Sequence, residues 1–352
     1  MRAARDSVLN PLLSLALCAF AGTLFAWLKT PLPWVIGPLT AMAVCNFGGL
    51  GLRAPTGGRE AGQVIIGTAL GLYFTPAVAR EVASYWPILL LAALVAILIG
   101  GVGGWFLSRA TGTDRATAFF ASVPGGATEM AVLGERYGAR TDRIAIAQSL
   151  RILVVVIFIP YALTFSGAHG TDAYVPRSAG FDWCGLVALF GIAAATGGIC
   201  RAARVPNAFM LGPLSAVIVF TANDAQFSSM PSVISNLGQT LIGCALGARF
   251  EPRFLLAAPR YVIGVLGSVL ISIVLAALAG VGLAWLSGLP LPSLLLATAP
   301  GGMAEMAITA KVLQLGVPLV TAAQVTRVIV LVTGTGPIYR LARRMTGGGG
   351  AR

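Results

Sequence analysis

Pro300-Gly301-Gly302-Met303-Ala304-Glu305-Met306, with Gln324 and Arg327 in the apolar run that follows, decides how this chain folds, because the chain contains the pattern twice. Pro124-Gly125-Gly126, Glu129-Met130, Gln148 and Arg151 repeat it at a constant offset of 176 positions, 300 minus 124. So many residue types at one offset mark a duplication. In each copy a helix-breaking Pro-Gly-Gly sits inside an apolar run, a carboxylate follows, and an arginine lies in the next run. The same offset carries Gly62-Gln63, Gly67, Ala69-Leu70-Gly71, Phe74 and Pro76 onto Gly238-Gln239, Gly243, Ala245-Leu246-Gly247, Phe250 and Pro252. Gly37-Pro38-Leu39 and Gly212-Pro213-Leu214 are a looser match.

Composition sets the solvent. With 57% hydrophobic and 10% charged residues and a mean hydropathy of +0.86, a chain of 352 residues cannot hide its apolar side chains in one soluble core. The expectation is an all-α polytopic membrane protein with the lipid bilayer as its surroundings. A net charge of +12 would ordinarily suggest nucleic acid, but in a membrane protein basic residues first set orientation. Cys18, Cys45, Cys184, Cys200 and Cys244 stand singly in or beside apolar runs and read as small buried hydrophobes. His169 is the sole histidine, in a polar loop, so no metal site and no cofactor are expected.

The duplication divides the chain into a first repeat (1–165), a polar linker (166–181), a second repeat (182–345) and a Gly-rich flexible tail (346–352). The run Leu9 to Leu28 could pass for a signal peptide, but its counterpart from Trp183 to Cys200 is an ordinary span, so it reads as retained. Gly67 and Gly71, four apart on one helix face, permit close helix contact. The glycines between Gly100 and Gly104 have no GxxxxGK[ST] pattern and read as packing too.

Each half carries six apolar segments, and the basic residues test how many of them cross. If all twelve cross, the halves are parallel and Lys/Arg divide eleven to eleven, with Arg151 and Arg327 left in the membrane. If each Pro-Gly-Gly segment instead enters and leaves on one side, the second half is inverted. Arg2, Arg5, Arg53, Arg59, Arg109, Arg115, Arg136, Arg140, Arg143, Arg201, Arg204, Arg249, Arg253, Arg260, Arg340, Arg343, Arg344 and Arg352 then share one side. Only Lys29, Arg80, Arg177 and Lys311 fall on the other. Eighteen against four is the positive-inside pattern, with both termini cytoplasmic. The expected fold is therefore two inverted repeats, each of about five transmembrane helices plus one re-entrant or broken Pro-Gly-Gly segment. A variant in which the short third segment fails to span places eight basic residues outside and ranks second.

Inverted repeats with interrupted helices are a recurring transporter architecture, in which half-helix ends supply ligands near the midplane. Glu129 and Glu305 are the only acidic residues within apolar segments away from their ends, and Arg151 and Arg327 the only such basic ones. Arg151 lies nine residues past Asp142, some 13 Å deep at ~1.5 Å per residue, and shares a helix face with Gln148, as Arg327 does with Gln324. A charge at a helix centre costs ~2.5 to 3.5 kcal/mol on insertion scales. One reading pairs Glu129 with Arg151 and Glu305 with Arg327 as structural ion pairs. The other makes the carboxylates coupling groups and the arginines anchors for an anionic solute, aided by the positive N-terminal end of the half-helix after each Pro-Gly-Gly. The candidate binding residues are Pro124, Gly125, Gly126, Glu129, Gln148, Arg151, Pro300, Gly301, Gly302, Glu305, Gln324 and Arg327, with the polar Gln63 and Gln239.

The paired Pro-Gly-Gly-x-x-Glu-Met motifs in a duplicated apolar chain of this length resemble the bacterial AbrB-duplication membrane family. The resemblance runs from about Leu9 to Arg343, and it implies an inner-membrane protein often regarded as a transporter. The family also carries the labels ammonia monooxygenase and transcriptional regulator. A monooxygenase needs copper or iron ligands that one histidine and scattered cysteines do not furnish. A DNA-binding regulator needs a basic soluble module, and no loop here is long enough to hold one, so nucleic acid is not expected as a partner. The residues point instead to a secondary transporter, not an enzyme, for a small anionic solute coupled to protons or sodium. A membrane sensor that binds its ligand without moving it is the alternative, and the oligomeric state, a homodimer included, stays open.

Overall fold

The computed structural model describes residues 2–168, 170, 180–225, 227–250 and 258–345. His169, most of the expected linker and the whole expected tail lie outside the described residues. The first half runs through α1 (Arg2–Trp27), α2 (Pro33–Phe47), α3 (Gly58–Gly71), α4 (Pro76–Ser84), α5 (Trp86–Thr111), α6 (Arg115–Ser122), α7 (Ala127–Glu135) and α8 (Thr141–Phe165). The second runs through α9 (Trp183–Ala202), α10 (Ala208–Thr221), α11 (Ser232–Gly247), α12 (Pro259–Ser287), α13 (Leu291–Thr298), α14 (Met303–Leu313) and α15 (Val317–Met345). The bounds of α6 and α13 differ by the sequence offset of 176 at both ends. Local chemistry sets the starts: Asp114 accepts the Thr117 N–H at 2.8 Å to cap α6, and Asp182 accepts the Gly185 N–H at 2.6 Å to cap α9. Pro33, Pro76 and Pro259 occupy first turns, where a missing N–H costs nothing.

Among the described residues six helices are long and apolar enough to cross a bilayer: α1, α5, α8, α9, α12 and α15. The protein is a multi-pass membrane protein. The five full crossings expected in each half resolve into three long helices and two shorter ones. Helices α2, α3, α10 and α11 have 15, 14, 14 and 16 residues, so each reaches only ~21 to 24 Å. The α3 axis turns by 94° into α4, a helix outside the apolar segments read from the sequence. Pro76 and the Thr75 cap break the helix there. Exposed Phe20, Leu98, Val187, Ile263, Leu270, Val274 and Leu278 form the outer apolar surface, while exposed Trp27, Trp86, Trp183 and Trp285 stand at the ends of their helices as an aromatic belt does.

Glycine contacts reveal the direction of each helix. Gly67 rests against Met210 and Pro213, and Gly71 against Leu214 and Val217, so α3 and α10 run parallel. Gly243 on Val35 and Pro38, with Gly247 on Leu39 and Met42, makes α11 parallel to α2. Between α5 and α12 the order reverses, since Gly103 meets Ser268 and Ser272 while Thr111 meets Gly264. The Ser268 hydroxyl donates to the Gly103 carbonyl at 3.0 Å. Helices α5 and α12 are equivalents in the two halves and run antiparallel, which inverts one half relative to the other. Gly62 and Gly238, also equivalent, touch where α3 crosses α11. At all these points two backbones approach closely because no Cβ intervenes.

The Pro-Gly-Gly segments fold as hairpins. Gly104 packs on Phe119 and Gly100 on Val123, so α6 runs back along α5. After the break, α7 returns to the level at which α6 began, where the Arg140 N–H donates to the Thr117 hydroxyl at 2.8 Å. In the second half α13 and α14 do the same, and Gly316, just before α15, lies against Ser293 at the start of α13.

Gly67→Leu and Gly243→Leu should each lower the thermal unfolding temperature in detergent by the equivalent of ~1 to 3 kcal/mol, the usual cost of overpacking. A Cβ at Gly67 would stand 2.7 Å from the Met210 carbonyl oxygen, and one at Gly243 2.5 Å from that of Val35. Gly101→Leu, where nothing lies within 4 Å, should leave it unchanged.

Candidate functional site: two helix breaks on one cavity

Stopping α6 and α13 inside the protein frees carbonyls that would otherwise be bonded along the helix. Side chains of the following long helix take them up. The Gln148 amide nitrogen donates to the carbonyls of Phe120 at 2.9 Å, Ala121 at 3.3 Å and Val123 at 2.8 Å. Arg151 donates through Nη1 to the Val123 carbonyl at 3.2 Å. In the second half Gln324 donates to Leu296 at 2.9 Å and Ala297 at 3.4 Å, and Arg327 donates to the carbonyls of Ala299 and Gly301. The spacing of glutamine and arginine, three apart on one helix face, is thus that of two donors closing one broken helix end.

This arrangement corrects one expectation. Among the described residues no ion pair joins Glu129 to Arg151 or Glu305 to Arg327; the one present is Arg140 with Asp142. The guanidiniums are held by backbone carbonyls instead. Each carboxylate lies over the glycine that precedes its own helix, Glu129 over Gly126 and Glu305 over Gly302, close enough that any Cβ there would collide with it. Both glutamates are the third residue of their helices, the position from which a carboxylate reaches back to the helix start. Gly126 also has φ +90°, which only glycine adopts readily. The other motif glycines, Gly125 and Gly301, make room for the side chains of Met130 and Met306. Both glycines, the glutamate and the methionine of Pro-Gly-Gly-x-x-Glu-Met therefore fit one another sterically.

Both breaks open onto one cavity of about 50 Å³. Pro124, Gly125, Gly126, Glu129, Arg151, Gly302, Glu305, Arg327 and Gln63 line it. Gln148 and Gln324 sit behind it, at the carbonyls, and neither Pro300 nor Gly301 is part of its wall. Gln239 is buried away from it. Arg151 and Arg327 are each 3% exposed, and each keeps an Nε without a hydrogen-bond partner. Two further wall residues, Arg59 and Arg249, escaped the sequence reading, which used them only as orientation charges. Their equivalents at the 176 offset are Ser235 and Tyr73, so neither arginine is repeated at its duplicated position. No local sequence signal marks these arginines; only the helix packing brings them to the cavity. Of the cysteines, Cys18 and Cys244 are buried together beside Met42, whereas Cys184 is exposed.

Fold and site together define a multi-pass helical membrane protein in which two inverted halves each send a broken helical hairpin to a shared polar centre. The chain belongs to the AbrB family, described as transition state regulatory protein AbrB, whose model matches residues 34–343. It is 27% identical over 373 residues to the "Uncharacterized protein YhjN" of Bacillus subtilis, covering 97% of this chain and 95% of that protein. It is also 27% identical over 318 residues to the "Putative regulator AbrB" of Escherichia coli, covering 88% and 90%.

Gln148→Leu removes the amide donor from the carbonyls of Phe120 and Ala121, while that of Val123 keeps Arg151, and should destabilise the protein by ~1 to 3 kcal/mol, the cost of an unsatisfied buried acceptor. Thermal unfolding of the purified protein in detergent measures this; an unchanged midpoint would show that the carbonyls do not depend on the amide.

Proposed function

We propose that this protein is a secondary transporter of a small anionic solute, coupled to protons or sodium, in which the inverted halves alternate in exposing the shared cavity. The observation that carries this reading is the cavity wall: four guanidiniums, Arg59, Arg151, Arg249 and Arg327, face two carboxylates, Glu129 and Glu305, beside two helix starts. The surplus of positive charge favours an anion, and helix N-termini add to the attraction. Each glutamate is a tethered anion lying where a solute carboxylate would bind. A proton or sodium ion on the glutamate weakens its hold on the helix start and admits the solute, so cation and anion enter together. At about 50 Å³ the cavity holds little more than a few waters, whereas solute pockets run to ~300 Å³ and above. Loading therefore requires the hairpins to part.

The positive-inside pattern places both termini and the Arg59 mouth in the cytoplasm of a bacterial inner membrane. In that frame α6–α7 and α13–α14 are re-entrant hairpins from opposite faces, and their broken backbone survives at membrane depth because it is buried and lines a polar cavity. The regulatory name of the family and of the Escherichia coli relative favours a second reading: a membrane sensor that binds the anion and signals without moving it.

Reconstituted vesicles separate the two. Under an imposed proton or sodium gradient, the protein should accumulate a labelled anion from a panel of small carboxylates, and an ionophore should abolish the accumulation. Glu305→Gln should cut uptake roughly tenfold to a hundredfold, the equivalent of one charge-assisted hydrogen bond, with unchanged elution on size exclusion. Binding without accumulation would favour the sensor, and normal uptake by both Glu129→Gln and Glu305→Gln would remove the carboxylates from coupling.

A further inference from the structure

Equivalent positions in the two halves do not share one environment. Glu305 is 7% exposed while Glu129 is half-buried; Gln239 is buried while Gln63 lines the cavity; Ala304 is buried while Thr128 is exposed. Helix α14 is buried along nearly its whole length and packs on α3 and α8 of the other half, whereas only Met130 and Gly134 of α7 are buried. The second hairpin is shut and the first is open. At the far end of the shut hairpin, Lys311 of α14 donates through Nζ to the Ser235 hydroxyl at the start of α11, at 3.2 Å. Subtracting the offset of 176 maps Lys311 onto Glu135, the last residue of α7, and Ser235 onto Arg59, in the first turn of α3. In the structure Glu135 is exposed, Arg59 lines the open cavity, and no ion pair joins them.

We infer that Arg59 and Glu135 form a gate at the open mouth. An inverted-repeat protein reaches its other state when the halves exchange conformations, so α7 packs on α11 as α14 now packs on α3, and the end of α7 reaches the start of α3 as Lys311 now reaches Ser235. The Glu135 carboxylate then meets the Arg59 guanidinium while the Lys311–Ser235 contact opens. Charge makes the residues fit: the pair brought together has opposite signs, although the contact it mirrors is a lysine on a hydroxyl. Closure also withdraws Arg59 from the cavity wall, so the gate and the anion draw on the same guanidinium. The inference rests on the alternating-access reading above and adds the residues that close one side.

Cross-linking tests it. Arg59→Cys with Glu135→Cys, and Ser235→Cys with Lys311→Cys, are introduced together into the full chain with Cys18, Cys45, Cys184, Cys200 and Cys244 replaced by alanine. Mild oxidation should form either link, and mass spectrometry of intact molecules should find one or the other, never both. Coexisting links, or a 235–311 link with no 59–135 link under any gradient, would overturn the gate. A second measurement keeps the native cysteines and follows thiol labelling of Gln63→Cys from the Arg59 side. Arg59→Gln and Glu135→Gln should each speed labelling by about twofold to fivefold, the range of a surface ion pair, and the double variant should be no faster than either. Multiplying effects would contradict a shared contact. Mutually exclusive links in a protein that accumulates no anion would uphold the gate while removing the transport reading.

Discussion

A helix interrupted within a hydrocarbon layer leaves carbonyls that lipid cannot satisfy, each costing several kcal/mol if left bare. Here that demand is met twice, by a glutamine and an arginine spaced three apart on the next long helix. The interaction does two things at once. It permits a broken helix at the centre of the molecule, and it fixes two guanidiniums there without spending them on carboxylates. Had the arginines paired with Glu129 and Glu305, the cavity would hold neutralised pairs; because they bond backbone, the carboxylates stay with their own helix starts.

The Pro-Gly-Gly motif follows from the same constraint. Proline ends the hydrogen-bonded ladder, one glycine clears space for the methionine five positions on, and the other lets the glutamate three positions on fold over the helix start. The inversion of the halves brings two such turns to one cavity. The arginines depart from that symmetry: Arg59 and Arg249 answer to Ser235 and Tyr73 at the duplicated positions.

Much of this was legible in the chain. The 176-residue offset, the apolar composition and the distribution of arginines lead to two inverted halves, and the contacts of Gly67, Gly103 and Gly243 show that inversion directly. The break at each Pro-Gly-Gly was legible as well, because proline and two glycines inside an apolar run cannot continue a helix. What residue types alone could not reveal was the choice of partner. A buried arginine near a buried glutamate suggests an ion pair, and nothing in the sequence says that carbonyls freed by a helix break compete for the same guanidinium. The short third segment was visible in the chain, but its packing was not, since the helices of one half complete their packing against the other, α2 on α11 and α3 on α10. Arg59 and Arg249 reach the cavity through that cross-packing, so no local pattern marks them.

The geometry as a whole depends on the two hairpins entering from opposite faces. Side-specific labelling of single cysteines placed at Arg136, just after the first hairpin, and at Lys311, at the end of the second, tests this in intact cells and inverted vesicles. The account predicts that an impermeant thiol reagent reaches position 136 only from the cytoplasmic face and position 311 only from the opposite one. Labelling of both from the same face would contradict the inverted arrangement, and with it the convergence of the two breaks on one site.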